Sequence, residues 1–425
     1  MIEIGSLRKA RGVALAACTA TCLLLAAGGA AARGAAVVPW LHLRADAALA
    51  TPESIAPPAV GASYTEAEFA TRITRVTESV GTFGTAPEYS KVQAFNANGS
   101  RLLLRRTDAT WVLHDGRSLR RLGPAGLPGG EIEPRWSPRD PDRLSYLRGD
   151  SVWSFSLRSG RSRLVARFPE LGRLSSGGEQ DVSLDGRFIA VHGPTTPIDG
   201  PFEQTRAFVV DLATGRRGPI RLLRPPTAGE TLDYVSITPD GTRVLVMWSS
   251  HGAVLYTRNW RRLRRLTTWD EHGDVCRGDG RWWFVTSHYR PETNDTVVEA
   301  VPLNGKAKRI LWRAPRNMGL HVSCRATGVP GWAIVSTYWH SQGRPRPMPV
   351  AFDNEVFALS LTSSVEAPVV RRLATTRMVE RFGYGDEPHA TVSRDGGIVL
   401  FGSSFQRSPT PLRVPETWAI DLRGN

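Results

Sequence analysis

The sequence predicts an all-β fold, a seven-bladed β-propeller of four-stranded antiparallel blades that is closed by an N-terminal strand. Two short β-rich runs flank an Asp-Gly turn at residues 386–404 (DEPHATVSRDGGIVLFGSS), which is typical of a β-hairpin. This hairpin recurs along the chain at spacings of roughly 40 to 60 residues, a period typical of propellers and solenoids. A second hairpin with a basic outer strand follows each of several copies, and four strands per unit favour the propeller.

The first hairpin has seven copies, six of which align on the glycine of their turn, whereas the copy at residues 134–147 is degenerate. They lie at residues 94–104, 134–147, 181–191, 235–247, 274–285, 321–335 and from 387 onward. The second hairpins are clearest at residues 110–122, 152–165, 207–223 and 253–267. No long amphipathic helical period follows the N-terminal region. A generic β-sandwich is the alternative, and seven recurrences with one internal order favour the propeller.

The last unit lacks a fourth strand, because the chain ends soon after ETWAIDL. Residues 71–77 (TRITRVT) resemble the outer strand RLRRLTT at 262–268. We therefore expect residues 70–77 to complete the last blade, which removes a free sheet edge.

Residues 1–33 have the pattern of a secretory signal, with Arg8, Lys9 and Arg11 before an apolar run and small residues after it. Simple cleavage is expected, and lipidation at Cys18 is the alternative. Residues 34–62 are rich in Ala and Pro and are interpreted as a linker, so that the propeller spans 63–425. The mature chain is expected to be periplasmic or secreted, and no later segment is long and apolar enough to span a membrane.

The net charge of +14 comes almost wholly from arginine. Many of these arginines fall on presumed outer strands, where charge prevents edge-to-edge pairing. Their spread argues against a nucleic-acid partner, whereas an acidic polymer remains compatible. A monomer is expected.

Cys276 and Cys324 occupy matching places in consecutive repeats. In an oxidising compartment they are candidates for a disulfide between neighbouring blades. Zinc is the alternative, since His272 and His321 lie close in sequence. Residues four apart on a strand are roughly 13 Å apart, so a zinc site that uses both cysteines is disfavoured.

The loops between second and third strands are long at residues 193–205, 287–295, 338–354 and 403–415. The order of strands places all four on one face, where we expect a carbohydrate or protein ligand to bind. Candidate ligand-binding residues on this face are His288, Arg290, Tyr338, His340 and Arg407.

His272, His321 and His389 lead into first strands of consecutive repeats, so they are expected to converge on the central channel with Glu387 and Tyr384. Three interpretations remain open. The channel is simply polar and wet, or the three histidines bind one divalent metal ion, or they act as metal-free acids and bases with a tyrosine as proton donor.

Two resemblances bear on function. The turns at residues 238–241 (TPDG), 183–186 (SLDG) and 393–396 (SRDG) resemble the WD-like repeats of TolB-type propellers over residues 70–425. That resemblance implies the propeller fold and, for function, a non-catalytic periplasmic binding or scaffold protein.

The stretch EPHATVSRDGGIVLFGS at residues 387–403 is similar to the His-bearing blade of oligogalacturonate-lyase-like propellers. This resemblance implies a divalent metal in the channel and cleavage of uronate polymers by β-elimination. It implies His389 and His321 as metal ligands or base, and Arg381 or Arg290 as the group that binds the substrate carboxylate. Tyr384 or Tyr89 is the candidate proton donor of the metal-free interpretation. The sequence thus predicts an exported propeller that binds an anionic carbohydrate, with lyase chemistry as the possible activity and a scaffold as the alternative.

Overall fold

A computed structural model describes residues 38–79, 84–194, 203–269, 272–339, 348–378, 387–405 and 415–424. Its strands form seven antiparallel sheets, and the one helical element among the described residues is a 3-10 turn at Pro169–Leu171. The prediction of an all-β, seven-bladed propeller is confirmed. The described segments contain no helical stretch whose length and apolar character would let it span a bilayer.

The strands follow one another in the order that the hairpin repeat predicts. The chain begins with β1 (Ser63–Glu66) and β2 (Thr71–Arg75). The first blade comprises β3 (Thr85–Ala86), β4 (Arg101–Arg106), β5 (Trp111–Asp115) and β6 (Arg121–Pro124). The second comprises β7 (Arg135–Trp136), β8 (Arg143–Arg148), β9 (Ser151–Ser156) and β10 (Arg161–Arg167). The third comprises β11 (Phe188–His192), β12 (Thr205–Asp211) and β13 (Arg221–Leu223).

The remaining blades are more regular. The fourth comprises β14 (Leu232–Ile237), β15 (Arg243–Trp248), β16 (Gly252–Thr257) and β17 (Arg262–Arg265). The fifth comprises β18 (Gly273–Gly278), β19 (Arg281–Arg290), β20 (Asp295–Pro302) and β21 (Arg309–Arg313). The sixth comprises β22 (Gly319–Ser323), β23 (Trp332–Tyr338), β24 (Glu355–Ser360) and β25 (Val370–Thr375). The seventh comprises β26 (Thr391–Val392), β27 (Ile398–Ser403) and β28 (Glu416–Asp421), which β2 and β1 extend.

The repeated turn has a local chemical cause. The Ser393 hydroxyl donates to the Asp395 carboxylate at 2.6 Å and accepts the backbone N–H five residues further on at 3.0 Å. Gly396 has a φ of +77°, a conformation that a residue without a Cβ adopts at little cost. The same pair of hydroxyl bonds occurs in the turns that begin at Ser183 and Thr238. In these three blades a hydroxyl residue two before Asp-Gly therefore fixes where the first hairpin reverses.

The N-terminal strand closes the ring, as the sequence predicts. β2 pairs with β28 in antiparallel register, with Ile73 opposite Ile420. Arg75 donates two hydrogen bonds, of 3.0 and 2.9 Å, to Glu416 at the start of β28. The fourth strand of the last blade thus comes from the other end of the chain. β1 adds a fifth, outermost strand that the sequence did not indicate.

Two further features depart from a regular four-stranded repeat. The third blade has three strands, and an isolated bridge between Ser175 and His192 stands where an inner strand would lie. Part of the predicted linker also packs on the propeller. Trp40 is fully buried, its ring meets Trp332 edge-on at 5.9 Å, and it belongs to the apolar cluster of the last two blades.

Adjacent blades are held together by apolar side chains between their faces. One cluster joins the fifth and sixth blades through Trp283, Trp312, Leu320 and Phe357. Burial of each such side chain contributes roughly 1.5–3 kcal/mol, which gives the inner strands a rigid support.

Candidate functional site

The structure brings together the three histidines that the sequence selected. His272 immediately precedes β18, His321 lies in β22 and His389 precedes β26, so they come from three consecutive blades. The ring centroids of His272 and His321 are 4.8 Å apart, and those of His321 and His389 are 4.3 Å apart. Equivalent positions on inner strands face the axis of the propeller, which explains why residues far apart in sequence meet here.

A carboxylate completes the cluster. Glu387 Oε2 lies 2.5 Å from His321 Nε2 and 3.4 Å from His389 Nε2. One possible ligand atom from each of these three residues lies within 4.8 Å of the others, and all three side chains are buried. Two imidazoles and one carboxylate at this separation are a set of donors that suits a divalent cation.

The electrostatics of the cluster favour cation binding. Burial alone would raise the pKa of Glu387, but hydrogen bonds from His321 and His389 hold the pKa well below its usual range. Burial, reinforced by His389, lowers the pKa of His321 well below 6.5. The carboxylate is therefore ionised while the His321 imidazole keeps a lone pair, which are the protonation states that metal ligands require.

The backbone at His389 is strained. Its φ is +40°, in the left-handed region that residues with a side chain seldom adopt. Such conformations cost on the order of 1–3 kcal/mol and persist where the surroundings enforce them, often at functional sites. Here the strain accompanies the turn of the chain that places both Glu387 and His389 beside His321.

A second group of polar residues reaches the same histidines from other blades. Tyr89 Oη is 2.7 Å from His272 Nδ1, and its ring centroid lies 5.0 Å from that of His389. Tyr89 also hydrogen-bonds to Glu179, which forms an ion pair of 2.6 Å with Lys91. Burial alone would raise the pKa of Glu179, but the neighbouring Lys91 ammonium lowers it, so Glu179 acts as an acceptor. Burial lowers the pKa of His272 and keeps its imidazole neutral.

A buried arginine connects blades further along the channel. The Arg325 guanidinium donates two bonds to Asp274, of 3.0 and 2.6 Å, and lies 3.5 Å from Asp181. Gln93 donates its backbone N–H to Asp181 and its side-chain amide to the carbonyl of Arg325. These residues come from the first, third, fifth and sixth blades, so the Arg325 network links four blades to one another.

The cysteines are paired with each other. Cys276 and Cys324 have their Cα atoms 5.0 Å apart and form a disulfide between β18 and the end of β22. The group that suits a metal consists of His321, Glu387 and His389, and among the described residues it contains no cysteine. The disulfide joins the two strands that carry His272 and His321.

The candidate ligand-binding residues have mixed placements. Tyr338 is buried and stacks on His321 at 5.4 Å, so it belongs to the central cluster. Arg290 donates two bonds, of 2.9 and 2.7 Å, to Asp295 within its own hairpin. His288 stacks at 3.6 Å on Trp269 rather than on one of the three channel histidines. His340, Arg381, Tyr384 and Arg407 lie outside the described residues.

Comparison with known proteins supports the fold. No family model matches the chain, and no curated protein matches its sequence. The oligogalacturonate lyase of Vibrio parahaemolyticus superposes with a TM-score of 0.59 and 14% identity over 85% of this chain and 96% of that one. An oligogalacturonate lyase in complex with manganese superposes with a TM-score of 0.60 and 15% identity over 90% and 97%. The predicted resemblance to these propellers is confirmed at the level of the fold.

Sequence reasoning did not select Lys91, Glu179 or Arg325. Each pairs with a residue of another blade, and a single sequence contains no signal for a contact between residues 51 or more positions apart. A weak signal existed for Lys91, because it is one of only four lysines in an arginine-rich chain. A buried lysine needs a partner, so its place in the link before a first strand pointed to the channel.

Proposed function

We propose that this protein is an exported propeller that binds an anionic carbohydrate at its channel and cleaves it by metal-assisted β-elimination. The observation that carries the proposal is the convergence of His321, Glu387 and His389, whose ligand atoms lie within 4.8 Å of one another. Similarity of fold to oligogalacturonate lyases, one of them in complex with manganese, supports the choice of substrate class and metal.

The residues fit a divalent cation. The donors are imidazole nitrogens and a carboxylate oxygen, which suit ions such as Mn²⁺ or Zn²⁺. The Nδ1 atom of His321 is buried and has no hydrogen-bond partner among the residues that the structure describes, so the cluster contains a polar atom whose burial is not yet compensated. A bound cation would neutralise the negative charge of the substrate carboxylate and so make the C–H bond next to it more acidic.

Within this proposal His272 takes the C5 proton of the uronate. Tyr89 has a single hydroxyl hydrogen, which it donates to the ionised Glu179, and its oxygen then accepts the Nδ1–H of His272. That arrangement leaves the Nε2 lone pair of His272 available to a substrate. The C5–H bond breaks, a C4–C5 double bond forms, and the C4–O bond to the leaving sugar breaks as its oxygen gains a proton.

Roles outside the described residues complete the proposal. Arg381 is proposed to bind the substrate carboxylate, and Tyr384 is proposed to give the leaving oxygen its proton. Export rests on the signal pattern of residues 1–33. N-terminal sequencing of the mature protein tests it: a start near residue 34 is expected, whereas an intact Met1 contradicts export.

Turnover of a galacturonate oligomer tests the activity. The unsaturated product absorbs in the ultraviolet, so we expect signal from the wild type, its loss with a chelator and its return with Mn²⁺. Glu387→Gln should reduce kcat/KM by at least about 10- to 100-fold, because even groups that only support metal ligands contribute this much.

Glu299→Gln is the matched control. Glu299 is also buried and ion-paired, with Lys308 at 2.9 Å, but it lies in β20 rather than on an inner strand. The turnover of Glu299→Gln should stay within about twofold of that of the wild type, since an ion pair with an exposed lysine contributes little. If the metal-loaded wild type forms no unsaturated product from uronate oligomers, the lyase proposal is wrong and a non-catalytic binding propeller becomes the better account.

A further inference from the structure

A groove of about 630 Å³ lies between the outer parts of the third and fourth blades. Its walls come from the end of β13, from the turn between β15 and β16, and from β17. We call it the rim groove, and its charged lining residues are Arg221, Arg224, His251 and Arg262. Its volume falls in the range of roughly 300–1,000 Å³ that is common for ligand sites.

The cationic groups of the rim groove are not neutralised. Within the described part of the chain, no ion pair joins Arg221, Arg224 or Arg262 to a carboxylate, and no acidic residue lines the groove. Some other exposed arginines are paired instead: Arg187 pairs with Asp211 at 2.7 Å in the third blade, and Arg309 pairs with Asp279 at 3.2 Å in the fifth. Three guanidinium groups in one concavity, none of them ion-paired to a described carboxylate, favour an anionic ligand.

The Glu230 carboxylate beside His251 is engaged by other groups. Glu230 accepts backbone N–H bonds of 2.8 and 3.1 Å from Ser250 and His251, together with a bond from the Ser249 hydroxyl. Its lone pairs are therefore already occupied. Arg265 adds a further cation, 3.2 Å from His251 Nδ1, so positive charge extends beyond the lining residues.

Apolar surface lies among these charges. Tyr256 and Pro226 line the groove, and Leu222 is 40% exposed there. The Arg221 guanidinium lies 5.9 Å from the centre of the Tyr256 ring. A ligand that presents both carboxylates and apolar C–H faces matches this surface better than a simple inorganic anion.

The rim groove and the central cluster open on the same face. In an antiparallel blade the loop between second and third strands and the link to the next blade lie at the same end. The turn between β15 and β16 and the link after β13 are of these two kinds, as are the links that end in His272 and Glu387 before β18 and β26. A polymer bound at the channel can therefore continue over this face toward the rim.

We propose that the rim groove binds a second stretch of an acidic polysaccharide, through carboxylate contacts to Arg221, Arg224 and Arg262. The substrate class rests on the proposed function, but the groove does not use the metal cluster. It would raise the affinity of the protein for long chains and leave the cleavage of short oligomers unchanged, since two linked contacts strengthen binding only when one ligand spans both.

Binding of polygalacturonate tests the proposal, measured by retardation in native gels that contain the polymer. The variant Arg221→Ala/Arg262→Ala should bind at least about tenfold more weakly than the wild type, because hydrogen bonds to charged groups are worth about 1.5–3 kcal/mol each. The control Arg161→Ala/Arg163→Ala removes the same charge from the exposed strand β10 and should change binding less than about twofold.

Three results would overturn the rim groove as a polysaccharide site. They are equal weakening in the groove and control variants, no weakening in either, and equal groove-dependent binding of polyglutamate, which would indicate an acidic peptide. The variant His321→Ala/His389→Ala separates the two proposals, because it should lose turnover of short oligomers, whereas its remaining polymer binding should still be weakened by Arg221→Ala/Arg262→Ala. Absence of turnover in the wild type would remove the lyase proposal and leave the binding comparison valid.

Discussion

Replacement of Arg325 by Met tests how far the buried charges of the channel hold the propeller together. Arg325 is 7% exposed and bonds to Asp274 and Asp181, which belong to the fifth and third blades. Methionine keeps much of the side-chain volume but removes the cation. Two carboxylates would then remain buried without their principal partner.

The expected loss follows from that uncompensated charge. Removing one partner of a buried ion pair costs about 3–5 kcal/mol. An unfolding entropy of about 2.1 cal/mol/K per residue over roughly 360 residues converts each kcal/mol into about 1.3 °C. We therefore expect Arg325→Met to lower Tm by about 4–6 °C.

Thermal unfolding followed by circular dichroism measures this shift. Arg163→Met is the matched control, since Arg163 is exposed on β10, and its Tm should change by less than about 1 °C. The double variant Arg325→Met/Asp274→Asn should lose less than the sum of the single variants, because a neutral pair leaves less buried charge uncompensated. A Tm for Arg325→Met within about 1 °C of the wild type would refute the reasoning.

Two further predictions concern stability. Cys276→Ser/Cys324→Ser removes a cross-link between residues 48 positions apart, and the chain-entropy model gives a loss of about 4 kcal/mol in the free energy of unfolding. Reductant should lower the Tm of the wild type as much as the double substitution does. An unchanged melting curve in both cases would contradict the bond. Burial raises the pKa of Glu88 from 4.5 to about 7, so the folded chain holds this proton more tightly than the unfolded chain. The stability that Glu88 contributes is then complete below pH 4.5 and is lost as the pH rises to about 7. The Tm of the wild type relative to Glu88→Gln should fall over this range, and a difference independent of pH would show that the pKa is not raised.

Much of the fold could be predicted because its signals are local. Three of the first hairpins are fixed by a Ser or Thr two residues before Asp-Gly, and that pattern is visible without any partner sequence. The closure by β2 was predictable because residues 71–77 resemble an outer strand of another blade. The burial of Trp40 was not, since an Ala/Pro-rich flank gives no indication that one aromatic side chain packs against the sixth blade.

The candidate site was only partly predictable. The register of His321 and His389 before their turns indicates that both face the axis, because this position is repeated from blade to blade. The pairing of Lys91 with Glu179 depends on contacts across the channel between unrelated positions. For Arg290 the position in a long loop predicts a ligand-binding role, but its guanidinium is already hydrogen-bonded to Asp295, five residues away.

Metal content is the most direct test of the channel site. The purified mature protein, dialysed against Mn²⁺ and then against buffer, would be compared with His321→Ala/His389→Ala by elemental analysis, with circular dichroism to verify the fold. We predict one divalent ion per wild-type chain and none in the folded double variant, because two of its three ligands are lost. A wild type without bound metal, or equal metal in both proteins, would contradict the assignment of His321, Glu387 and His389 as a metal site.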